Sequence, residues 1–210
     1  MKQNPLEKSS TISLKEVLPI HKTRGIGIIK KEQIKEIVEA PLVKACEVFW
    51  DKNIQTYDSS ANSENIKTGT AWIRINFDSL SDENRKIALQ YGQPYEEAMN
   101  AGQMIELPIQ IKGNETVDEI SNKAVEIAEE FKKQKATWIS GTTLQEHIDW
   151  LNKRYGKYPE TAQEIKRLKQ PDVWEKENTE KGRYFDPETR MVFSSEEYFR
   201  KWKEGSEIKD

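Results

Sequence analysis

Tyr57, Asp58, Ser59, Ser60 and Asn62 bring a phenol, a carboxylate, two hydroxyls and an amide into one short stretch. A little further on, Trp72, Arg74 and Asn76 alternate with apolar residues. Alternation of this kind puts all three on one face of a strand. An aromatic ring, a guanidinium and an amide side by side make a surface that can grip a polar partner. Asp, Ser and Asn are also common turn formers, because their side chains bond nearby backbone. The first stretch therefore reads as a loop first and a ligand or partner site second. The expected site comprises Tyr57, Asp58, Ser59, Ser60, Asn62, Trp72, Arg74 and Asn76, and it points to a non-catalytic binding or regulatory module that acts through a protein partner.

A catalytic alternative rests on Asp51, Asp58, Glu64, Asp78 and Asp82, which fall near the ends of the expected central strands. Paired carboxylates can hold a divalent cation or act as acid and base. An enzyme built this way would act on a small molecule or a phosphoester. The chain has no Walker-type phosphate loop, "GIG" at 25–27 is too short for a dinucleotide fingerprint, and there is no nucleophile elbow. His21 and His147 lie far apart, and the single Cys46 permits neither an intramolecular disulfide nor a zinc-finger spacing. Cys46 and His147 each lie beside an apolar helical stripe and read as structural. No cofactor and no metal site is expected.

Six basic residues, Lys153, Arg154, Lys157, Lys166, Arg167 and Lys169, surround Tyr155 and Tyr158. Interleaved cations and aromatics can grip nucleic acid or an acidic protein, although Glu160 and Glu164 interrupt the patch. "KTGTAWIRINF" loosely resembles the signature strand of the RNA-recognition motif. It has a basic residue, a glycine, an aromatic and a final Phe. That resemblance implies single-stranded RNA binding through stacked bases. The glycine–aromatic spacing departs from the motif, and "GIGII" offers no aromatic for the companion strand.

The elements that must position these groups follow from periodicity. "GIGII" at 25–29 and "IQTYD" at 54–58 are short strand candidates. Helical spacing around Ile34, Ile37 and Val38 breaks at Pro41, and a second helix carries Leu42, Ala45, Val48 and Phe49. "TAWIRINFD" is the clearest strand, with Ala71, Ile73, Ile75 and Phe77 facing one way. A helix over "SLSDENRKIALQYG" ends at Gly92, and a loop runs from there to Gly102. "MIELPIQI" alternates again, and Pro108 marks an edge strand or a bulge. Thr116 with Glu119, Thr143 with Glu146, and Ser194 with Glu197 predict capped helix starts. "GRYFDPETRMVF" reads as strand, turn and strand.

This order predicts an α+β protein with a ferredoxin-like split β-α-β-β-α-β core and helices on one face. A Trp-rich helical and β-hairpin C-terminal region follows. Residues 1–24 are expected to form a flexible basic arm, 25–136 the core domain and 137–210 the C-terminal region. Four of the six tryptophans (Trp138, Trp150, Trp174 and Trp202) fall in that last region, where large rings serve a small core.

The chain of 210 residues is 33% charged, with a formal net charge of −3. Near balance argues against a whole-surface nucleic-acid binder but leaves room for a local patch. Neither a leader-like apolar run nor a segment approaching the roughly 18 apolar residues of a membrane span is present. The expectation is a soluble, cytoplasmic protein.

Overall fold

A computed structural model describes residue 28 and residues 30–96, 102–170 and 172–207. The expected basic arm lies outside the described residues, as does all of "GIGII" except Ile28. The architecture mixes helix and sheet, an α+β arrangement, and separates into two compact units. Glu32–Lys133 belongs to the first, and Gly27–Lys31 with Gln134–Asp210 to the second.

The first unit opens with helix α1 (Ile34–Ile37). A 3-10 turn over Ala40–Leu42 follows, with Pro41 in its first positions, where a missing N–H costs nothing. Helix α2 (Val43–Asp51) then buries Ala45, Cys46, Phe49 and Trp50. Strand β1 (Thr56–Ser60), helix α3 (Ser63–Thr68) and strand β2 (Thr70–Asn76) come next. Helix α4 (Asp82–Ala88), strand β3 (Tyr95–Glu96), strand β4 (Gln103–Gln110) and helix α5 (Val117–Glu130) complete the unit.

The sheet runs β1-β2-β4-β3, antiparallel throughout. This order departs from the ferredoxin-like expectation. A split β-α-β-β-α-β core would insert its first strand between the two strands that here pair directly, from Thr70↔Gln110 to Asn76↔Met104. Element order along the chain does not specify which strands become neighbours. The chain from Ser59 to Thr68 also differs from the expected loop, because Ser59 and Ser60 continue β1 and Ser63–Thr68 is helical. Part of the expected loop after Gly92 forms β3.

Pro108 sits in β4 opposite Trp72. The Ile111 N–H donates to the Gly69 carbonyl. Alternation along an antiparallel ladder then turns the Pro108 nitrogen away from β2. Strand β3 reaches only Gln103 and Met104, so no ladder bond is lost there.

Ala71, Ile73 and Ile75 of β2 and Ile105, Leu107 and Ile109 of β4 are all buried. Helices α2 and α5 pack together and against the sheet. Phe49 and Phe131 meet edge-on at 5.2 Å. The Lys52 ammonium donates to the Ala128 and Glu129 carbonyls, satisfying acceptors at the end of α5.

The second unit carries helices α6 (Leu144–Tyr155), α7 (Pro159–Leu168) and α8 (Val173–Glu180), the hairpin β5 (Tyr184–Phe185) and β6 (Val192–Phe193), and helix α9 (Glu196–Glu207). Leu168, Trp174, Phe185 and Val192 form one buried cluster. Ala136, Ile139 and Phe193 form another, with Trp138, Phe199 and Trp202 packed around it. Trp150 departs from the expected role of a core ring, at 47% exposed. In the hairpin turn, the Asp186 carboxylate accepts from the Thr189 N–H and hydroxyl. The cap of α9 is Ser195 rather than Ser194, since the Ser195 hydroxyl accepts from the Tyr198 N–H. The Tyr198 hydroxyl donates to the Ile28 carbonyl at 2.6 Å, which ties that early residue into this unit. No helix among the described residues is long and apolar enough to cross a membrane.

Candidate functional site

Strand β2 places Trp72, Arg74 and Asn76 half-buried on the face opposite Ile73 and Ile75. Register then brings Asp58 of β1 and Glu106 of β4 to either side of Arg74. The Arg74 guanidinium donates to Asp58 Oδ2 at 3.2 Å and, through Nε, to Glu106 Oε2 at 3.2 Å. It also lies 4.2 Å from the Trp72 ring centre and 6.0 Å from that of Tyr95. Cation–ring contact adds to the ion pairing. Burial pulls the Arg74 pKa down, but Asp58 and the bond to Glu106 outweigh it and hold the value above its usual one. The result is a row of carboxylate, guanidinium and carboxylate on three strands, with an aromatic floor. The Asp58 and Glu106 side chains stay 40% and 37% exposed, so the row presents excess negative charge to solvent.

Tyr57 stands beside this row. The register slips between Thr56 and Asp58, so Tyr57 is the extra residue of a bulge on an edge strand. Bulges re-aim side chains and twist edges, and Tyr57 is 42% exposed.

The other expected site residues serve the fold. Ser59 falls on the core side of β1 and bonds the Cys46 thiol. Burial pushes that thiol up to about 12, so it is inert at neutral pH. Asn62 caps α3, accepting from the Glu64 and Asn65 N–H groups, and its amide donates to the Ser60 hydroxyl. The opening polar stretch is thus largely a strand end and a helix cap. Asn76 accepts from the Ser79 N–H and donates to Gln55 Oε1.

Sequence reasoning missed Tyr95 and Glu106. Parity puts Glu106 on the polar side of β4, but only the β2–β4 register sets it against Arg74. It also missed Glu39, a buried carboxylate that accepts the Ala61 N–H.

The carboxylates of the catalytic alternative are largely engaged elsewhere. Asp58 pairs with Arg74, Asp78 accepts from the Gln103 N–H at 2.7 Å, and Asp82 lies 3.6 Å from Arg85. Among the described residues, no group of three His, Cys, Asp or Glu side chains could hold a metal ion.

The basic patch of the second unit is divided. Arg167 bridges Glu164 and Glu177. Arg154 lies 5.7 Å from the Trp150 ring and 5.6 Å from that of Tyr155, and Lys157 lies 5.1 Å from that of Tyr158. Trp150, Tyr155 and Tyr158 are exposed. Trp150 meets Tyr155 edge-on and stacks against His147 at 5.7 Å.

Neither a protein-family model, nor a curated protein, nor a solved structure matches this chain.

Proposed function

We propose that this chain is a non-catalytic binding module that engages a protein partner through the Arg74 face of the first unit and the bulged Tyr57. The observation that carries this reading is the preassembled cluster itself: Arg74 bracketed by Asp58 and Glu106 over Trp72. Trp, Tyr and Arg are the residues that dominate protein–protein binding energy. Here they stand on paired strands, so little side-chain freedom remains to be lost on association. The excess carboxylate favours a partner that presents a basic side chain.

Affinity purification with tagged wild type and Tyr57→Ala tests the reading. Tyr57 is exposed, so its removal should change stability by no more than about 0.5 kcal/mol. A stoichiometric protein should accompany wild type at low salt and be lost from Tyr57→Ala, and its retention should fall as salt rises. Equal capture by both proteins, or no protein partner at all, would count against the assignment.

A further inference from the structure

The second unit holds a cavity of about 410 Å³ lined by Thr142, Glu146, His147, Trp150, Trp174 and Arg183, among others. Its size falls within the range of pockets for small ligands.

Three rings form its apolar part. His147 stacks on Trp150 with 17° between the planes and tilts against Trp174 at 5.1 Å. Trp174 is only 5% exposed, yet its indole N–H finds no acceptor among the described residues. Its ring, not its shielded N–H, is what it offers the cavity.

The charged lining is asymmetric. Arg183 donates to Asn178 Oδ1 at 3.0 Å and makes no ion pair with a described residue. Glu146 is already engaged, because its carboxylate accepts from the Thr143 N–H and hydroxyl at 2.8 Å each. Burial, Arg183 and Lys181 lower the His147 pKa, against the opposing pull of Glu164 and Glu177. The cation environment is therefore felt within the cavity.

We infer that this cavity binds a planar aromatic molecule bearing a carboxylate or phosphate. The ring packs against Trp150 and His147, and the anionic group meets Arg183. Nothing in this inference rests on the Arg74 face.

Isothermal titration calorimetry on the full chain tests it with two probes, indole-3-acetate for an aromatic carboxylate and adenosine 5′-monophosphate for a nucleotide. Saturable 1:1 binding of at least one probe is expected, and the probe that binds identifies which source of the anion the site accepts. Trp150→Ala and Arg183→Gln change exposed residues and should each weaken binding about tenfold or more, with the circular dichroism spectrum unchanged. Lys86→Ala, an exposed position on α4 of the first unit, should bind as wild type does. Failure of both probes to saturate at millimolar concentration would overturn the inference, as would unchanged affinity in Trp150→Ala and Arg183→Gln.

Discussion

The two units solve one problem differently. The first covers one face of an antiparallel sheet with two helices, and its core is mostly aliphatic: Ile73, Ile75, Ile105, Leu107, Ile109 and Ile120 are each at most 1% exposed. Among its described residues the second has a two-stranded hairpin and helices of 8 to 12 residues, and rings pack around much of its core. Phe193 meets Phe199 and Trp202 at 5.3 Å each, and Tyr184 stacks on Phe199 at 4.8 Å. A sheet presents a continuous apolar surface that small branched side chains can tile. A two-stranded hairpin presents little, and each position must bury more area. Such a core leaves rings at its margin, which is where Trp150 and the cavity lie.

Phe49 and Phe193 are matched probes of that contrast, at 0% and 1% exposed. Replacing either with Ala should cost about 3–5 kcal/mol in chemical denaturation. Replacement with Leu should separate them. Phe49 loses one ring contact, to Phe131, whereas Phe193 loses two. Phe193→Leu should therefore cost about 0.5–1.5 kcal/mol more than Phe49→Leu. Equal costs would show that ring packing adds nothing beyond buried area.

Arg74→Met asks whether the polar face of the first unit is structural as well as accessible. It leaves Asp58 and Glu106 without their shared cation, and it should cost roughly 1–2 kcal/mol because the row is half open to water. Adding Asp58→Asn should recover part of that loss. A double variant as unstable as the single would show that carboxylate repulsion is not the cause.

The smallest effects come from a feature the units share. Thr116 with Glu119 caps α5, and Thr143 with Glu146 caps α6, by the same reciprocal hydrogen bonds. Thr116→Ala and Thr143→Ala should each cost about 1 kcal/mol. The threonine backbone N–H and then the hydroxyl hold each glutamate below its usual pKa. A carboxylate with a lowered folded value stabilises above its unfolded pKa of about 4.3, and that stability is lost as pH falls through the folded value. Denaturation between pH 6 and pH 3 should show this acid-side loss, and Glu119→Gln and Glu146→Gln should each flatten it. An unchanged slope would remove the caps from the acid response.

Both caps were legible because a capping box is local: the partners are three residues apart and the hydrogen bonds close within one turn. The same holds for the break at Pro41 and the alternation of β2 and β4. Ser60 and Asn62 misled because the hydrogen-bonding capacity that marks a site also marks a cap. Helix α8 escaped notice because its start at Asp172 adopts a left-handed conformation with φ 62° and no side-chain cap.

By itself the sequence determined parity: which residues of β2 and β4 face the core, which stripes of α2, α5 and α6 are apolar, and where the capping-box helices α5 and α6 begin. These depend on periods of two and 3.6 residues and on contacts within a single turn. Only the tertiary structure decided neighbours. It set β2 against β4, and so Glu106 and Tyr95 around Arg74. It also gathered His147, Trp150, Trp174 and Arg183 around one cavity. Register and long-range packing are settled by the combined burial of many side chains, and no short window of residues contains that sum.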